Sequence, residues 1–199
     1  FAKPNREPSH APSLQFEQLP ELWSWIKLQE FSDTMKAAMR LTIVTAHRAA
    51  VISNMKKTHY DQESGVWAIP RKPKGSTEVG LMKSRRAFDA RLPIGLRHEL
   101  ERLITASQDC DYVFSIDGKR PINAESLRRN FKRFGPITTH GFRNTFKTWC
   151  LHNDVDDFLA DRYCDHAFKG LDKNYRRDDL FEQRAELAKR YFDFIRGAS

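Results

Sequence analysis

Apolar residues recur at intervals of three and four along much of the chain, the spacing that lays one stripe along an α-helix. Pro20 suits the first turn of a helix carrying Leu22, Trp23 and Ile26. Ser32 or Asp33 can cap a second helix with Met35, Met39, Ile43 and Ala46 on one stripe, and a short third helix holds Ala50, Ile52 and Met55. The period then changes. GVWAIP (65–70) and AFDARLPI (87–94) read as strands either side of a basic turn, PRKPKGST, so 58–94 predicts a small antiparallel sheet. Helical spacing resumes with Leu96, Leu100, Leu103 and Ile104. DYVFSI (111–116) predicts a short strand or turn. Further helices are expected over 123–134, 139–152 and 155–164. A last one starts near Asp178–Asp179 and carries Leu180, Leu187, Tyr191, Phe194 and Ile195. There is no internal repeat and no low-complexity tract. The expected fold is α+β, mostly α-helical, with one small antiparallel β-sheet.

Composition narrows this to a globular protein with an anionic partner. The 199 residues suit one domain and include 14 Phe, with 40% hydrophobic residues overall, enough for a real core. Lys and Arg number 34 against 26 Asp and Glu, a net charge of +8, and the pI is about 9.5. That balance suits a polyanion, of which nucleic acid is the commonest, although charge alone also serves solubility. Three cysteines without framework spacing argue against a disulfide-stapled secreted protein. No apolar run approaches the roughly 18 residues of a membrane span. No signal peptide is visible. The opening FAKPNREPSHAPS has three prolines and mixed charge, so residues 1–14 read as a linker from a larger protein and 15–199 as the functional domain.

The chemistry starts from ITTHGFRNTF (137–146). On a helix His140 and Arg143 share a face, able to hold an anion, while Phe142 and Phe146 grip a core. An H-x-x-R pair is too short to carry weight alone. Other polar residues stand in series with it: Arg48 in TAHRAAVI, Lys83 in GLMKSRRAFDARLPI, His166 in CDHAFKG and Tyr175 in LDKNYRRDDL. Singly, each has an ordinary reading as a surface or ion-paired arginine, a solvated hairpin lysine, a helix-terminal histidine or a half-buried tyrosine. Cys150–His152 and Cys164–His166 look like paired metal ligands. Their donors sit two apart, however, unlike the spacing of structural zinc sites, and half-buried helical cysteines account for them better.

Taken in order, Arg48, Lys83, His140, Arg143, His166 and Tyr175 resemble the catalytic series of the tyrosine recombinases, and most closely the integrases of temperate phages and genomic islands. The likeness runs from about residue 20 to 196. TAHRAAVI resembles the first-arginine box, THGFRNTF the second box, and NYRRDDLFEQRAEL the tyrosine box with its following helix. Val51 stands where the family usually has an acidic residue, Asp165 where a small residue is usual, and the sheet turn is longer than usual.

The resemblance implies a site-specific recombinase catalytic domain acting on double-stranded DNA without metal or cofactor. Tyr175 would attack a phosphodiester to give a 3′-phosphotyrosine and a free 5′-hydroxyl. Arg48 and Arg143 would clamp the non-bridging oxygens. His166 would donate to the same phosphate, His140 would assist proton transfer at Tyr175, and Lys83 would protonate the leaving oxygen. It also implies other protomers in a tetrameric synaptic complex, room for DNA-bending or excision factors, and a cytoplasmic, nucleoid-associated setting for integration and excision of a mobile element. Two alternatives are a non-catalytic DNA-binding module of the same fold and a related topoisomerase.

Overall fold

The computed structural model describes residues 12–82, 87–106, 109–165 and 180–197. Among them it is organised around one helix that is buried almost all round. After α1 (Leu19–Leu28), with Pro20 in its first turn, α2 (Asp33–Thr45) is capped by Ser32, whose hydroxyl accepts from the Met35 amide at 3.2 Å. Met35, Ala37, Ala38, Met39 and every residue from Leu41 to Thr45 are buried. The single expected stripe thus understates α2. Its threonines hide their polarity by bonding back to the preceding turn, Thr42 to the Ala38 carbonyl at 2.8 Å and Thr45 to that of Leu41 at 2.7 Å.

The other elements wrap this axis. The short α3 (Ala49–Ser53) packs on α2 and on α5 (Ala124–Lys132), and α4 (Ile94–Ala106) lies along α2, joined by an Arg40–Glu99 bridge of 2.6 Å. The sheet has the order β1 (Tyr60–Asp61), β2 (Val66–Ile69), β3 (Phe88–Arg91), all antiparallel, with Trp67 opposite Tyr60 and Ala90, and Ile69 opposite Phe88. The connection from β2 to β3 is tied back at Met82, which is fully buried; its amide donates to the Pro70 carbonyl at 3.0 Å, and the Lys72 amide donates to its own at 3.0 Å. DYVFSI forms no strand. It contributes one bridge, Tyr112 to Lys56, and buries Val113 and Phe114.

Three helices complete the domain: α6 (Gly141–His152), α7 (Asp157–Tyr163) and α8 (Phe181–Arg196). They meet in an aromatic cluster. Phe146 stacks on Tyr163 at 4.3 Å and meets Tyr191 edge-on at 4.9 Å, while Phe142 meets Phe131 of α5 at 4.8 Å. Phe142 and Phe146 therefore anchor α6 as its sequence anticipates. A Lys147–Asp161 bridge of 2.8 Å joins α6 to α7, and α8 is tied to β3 through Arg91–Glu182 at 2.6 Å and Arg184 to the Asp89 carbonyl at 2.7 Å. Residues 12–14 lie against α6. The Pro12 carbonyl accepts from the Thr138 amide, and the Leu14 carbonyl from the Thr145 hydroxyl at 2.7 Å. This close approach requires glycine at 141, where a Cβ would sit 2.2 Å from the Pro12 oxygen.

Since Phe146 is fully buried at the centre of the aromatic cluster, Phe146→Ala is expected to cost about 3–5 kcal/mol of unfolding free energy, read from urea titrations. A loss below about 1 kcal/mol would mean that α6 is held by something other than this cluster.

Candidate active site

The site is built where α2 ends. Its last turn closes on Ala46, which adopts the left-handed conformation (φ 51°, ψ 24°), and the chain then leaves through His47 to Arg48, the extended N-cap of α3. A left-handed alanine costs about 1–2 kcal/mol, so surrounding contacts must hold it. One is visible: Arg143 donates from Nε to the Ala46 carbonyl at 3.0 Å. Arg143 sits in the first turn of α6, 2% exposed, with its Nη2 buried and without a hydrogen-bond partner. Burial pushes its pKa down from the ordinary value, and the charge of Arg48 acts in the same direction, against Cys164 and Asp165, which favour the cation. Arg48 itself is half-exposed. Two guanidinium groups are thus gathered at one corner, one with a donor still unused. An oxyanion between them would relieve both the repulsion and the unsatisfied donor.

His140 is the N-cap of α6 and is exposed. It makes no side-chain capping bond; the Gly141 amide is satisfied instead by Thr138, whose hydroxyl accepts at 2.9 Å. The structure therefore places Arg48, His140 and Arg143 at the end of α2 and the start of α6. Lys83, His166 and Tyr175 lie outside the described residues, as does the expected helix start at Asp178–Asp179; Leu180, expected inside that helix, is instead its left-handed N-cap, because α8 begins at Phe181. Their described neighbours are Met82, buried and hydrogen-bonded, and two residues in the left-handed region, Asp165 (φ 52°) and Leu180 (φ 52°). Val51 is buried, 3% exposed, so this position offers Arg48 no carboxylate.

Two tyrosines that would otherwise compete as nucleophiles are built into the core. Tyr163 donates its hydroxyl to the Val44 carbonyl at 2.6 Å, and Tyr191 is fully buried. Burial raises both pKa values well above the ordinary phenol range, with Cys164 adding to the effect at Tyr163 and Tyr163 to that at Tyr191. Cys150 and Cys164 are free and buried, each pushed up to about 12 by burial first, so neither supplies a ready thiolate. No group of three or more metal-ligating side chains occurs among the described residues.

His47 is a residue that the sequence did not single out. It lies between the two positions that place the arginines, is 1% exposed, and meets Trp67 (5.6 Å) and Phe88 (5.0 Å) edge-on. Burial, then the charges of Arg143, Arg48 and Arg184, hold its pKa well below the ordinary value. Arg184 is also buried and lies 4.4 Å over the Phe88 ring. Nothing local distinguishes His47 from a surface histidine. Only the packing of β2, β3 and α8 around it does so.

A model of the phage integrase family matches residues 12–180. The chain belongs to the phage integrase family. Its fold is that of the tyrosine recombinase catalytic domain. The integrase from mycobacterium phage Brujita superposes with a TM-score of 0.66 at 15% identity, covering 96% of this chain and 61% of that one. XerA recombinase gives 0.62 at 18% identity, covering 94% and 62%. The Tn1549 transposon integrase (residues 82–397, Y379F), in complex with transposon right end DNA, gives 0.61 at 14% identity, covering 86% and 65%. This integrase chain thus spans less than two thirds of the length of these structures. No curated protein matches the sequence. Among the described residues no helix is long and apolar enough to cross a membrane.

His47 yields a pH prediction. Its pKa is depressed in the folded protein, so below its ordinary value of about 6.5 the unfolded chain takes up a proton that the folded chain refuses. Stability contributed by this group is therefore present above about pH 6.5 and lost as the pH falls below it. Melting temperatures of the parent and His47→Leu, followed from pH 7.5 to 5, should diverge, the parent falling more steeply. Parallel curves would show that His47 titrates normally.

Proposed function

We propose that this chain is the catalytic domain of a site-specific DNA integrase that breaks and rejoins strands through a phosphotyrosine. The observation that carries the reading is Arg143, buried, locked to the Ala46 carbonyl and facing the charge of Arg48 with one donor unspent. A phosphodiester brings one negative charge, and its transition state adds more on the non-bridging oxygens. Two planar guanidinium groups meet that demand bidentately in a partly desolvated corner.

In the proposed reaction the Tyr175 hydroxyl oxygen attacks phosphorus, and its proton passes to His140 or to water held there. The bond to the 5′ oxygen breaks, that oxygen takes a proton from Lys83, and the 3′-phosphotyrosine retains the energy of the phosphodiester. His166 donates to a non-bridging oxygen. A 5′-hydroxyl from another strand then reverses the steps and joins the new partner. Family membership, the +8 charge and the core burial of Tyr163 and Tyr191 support this assignment. The solved relatives include a transposon integrase with transposon end DNA and a lambda integrase dimer on a core site. By extension, the partners proposed here are duplex attachment sites and further protomers, assembled as a tetramer for strand exchange. The buried Val51, leaving Arg48 without an acidic partner at that position, favours as second reading a DNA-binding module of this fold that does not cleave.

A nicked suicide duplex carrying the recombination site separates the two. The parent should form a covalent adduct that survives denaturation, whereas Tyr175→Phe should bind equally and form none. Binding without an adduct by the parent would establish the second reading. Adducts with Tyr175→Phe would displace the nucleophile assignment.

Lys83 has its own test. A sulfur at the bridging 5′ position leaves as a thiolate and needs no proton. Lys83→Ala should therefore be slow on the normal phosphodiester, by roughly 10²–10⁴-fold, and close to the parent on the 5′-phosphorothiolate. Arg143→Ala should be slow on both, because its charge acts on the non-bridging oxygens. If Lys83→Ala stays slow on the sulfur substrate, Lys83 positions DNA instead.

A further inference from the structure

The 46–48 corner sets both arginines, yet its central residue is buried away from solvent. His47 is 1% exposed, and neither of its ring nitrogens has a protein hydrogen-bond partner. A leucine or phenylalanine would fill the same space between Trp67 and Phe88 without leaving polar atoms unpaired, so simple volume filling does not account for an imidazole. Beside the ring lies a cavity of about 20 Å³, lined by His47, Thr45, Tyr163, Arg184 and Phe88 among others. That volume exceeds what one water needs, and the lining carries the two to four polar groups that hold one. The Tyr163 hydroxyl spends its proton on the Val44 carbonyl at 2.6 Å, and that of Thr45 on the Leu41 carbonyl at 2.7 Å; Thr45 Oγ1 also accepts from the His47 amide at 3.4 Å, so each oxygen retains at least one acceptor site.

We propose that this cavity is a site for one ordered water, and that through it His47 acts as a positioning residue for the Arg48–Arg143 pair. The proposal rests on the reading that this pair clamps the scissile phosphate. The ring is joined by backbone to Ala46, whose carbonyl holds Arg143, and to Arg48, whose backbone caps α3. With the water in place the imidazole is anchored to α2 through Thr45 and to α7 through Tyr163. The charged and titratable groups that act on the ring are Arg48 on its own segment, Arg143 from α6 and Arg184 from α8, and Tyr163 of α7 shares its cavity. All three charges are positive, so a neutral ring is the form that can occupy this place.

The test compares the parent with His47→Leu and His47→Gln, the second restoring a hydrogen-bonding side chain without the ring. Three readouts are taken: the ¹⁵N–¹H resonance of Arg143 Nε, which reports its bond to Ala46; the rate of adduct formation on the suicide duplex; and magnetisation transfer from water to the His47 ring in the parent. A folded His47→Leu should show a displaced Arg143 resonance and adduct formation slowed roughly tenfold or more, since small misplacements in a site carry large rate effects. His47→Gln should recover most of both. An unmoved Arg143 resonance with a parental rate would overturn the positioning role, and so would equal impairment of the Leu and Gln variants. If neither variant folds, the parent decides: a ring without a water contact overturns the proposal. If the parent forms no adduct, the proposed function fails while the Arg143 resonance still judges His47.

Discussion

The geometry of the candidate site depends on one hydrogen bond, from Arg143 Nε to the carbonyl of Ala46, spanning 97 positions of sequence. It exists because α2 stops where it does. The left-handed Ala46 turns its carbonyl away from the helix axis, and α6 presents Arg143 in its first turn to receive it. Each side is held independently. The α2 axis is enclosed by α1, α3, α4, α5 and α8, and α6 is gripped through Phe142, Phe146 and Trp149 by aromatic partners on α5, α7 and α8. A side chain as long as arginine would otherwise sample many rotamers. Here that entropy is lost on folding, before any ligand binds.

Collecting like charges is the cost of such a site. Arg48, Arg143 and Arg184 all act on the buried ring of His47, and Arg48 acts on Arg143. The fold contains this repulsion in two ways. Arg184 is spread over Phe88 and bonded to the Asp89 carbonyl, which gives its charge a partner outside the corner. His47 stays neutral, so no further positive charge joins the group. Val51, buried and apolar, gives Arg48 no carboxylate at that position, and in the proposed function the DNA phosphate supplies the opposite charge.

Much of this protein is determined by sequence alone. Helical periodicity outlines α1 to α7 to within about two residues at their ends, the change of period marks the sheet, and the charge balance points to a polyanion. The series Arg48, Lys83, His140, Arg143, His166 and Tyr175 identifies the family, which the match over residues 12–180 establishes. These signals are local or compositional, and the chain carries them before it folds. The tertiary structure alone decides what each residue is surrounded by. Periodicity saw one stripe on α2 because alanine and threonine are weak hydrophobic markers, yet packing buries that helix almost all round. His140 and Arg143 look equivalent three positions apart, but one is left exposed at a helix cap and the other is driven inside to reach Ala46. Tyr163 and Tyr191 read like any other tyrosines until the aromatic cluster closes over them. His47 reads like a surface histidine until Trp67 and Phe88 enclose it. Burial and long-range hydrogen bonds arise from contacts between segments distant in the chain, and no spacing within a single segment encodes them.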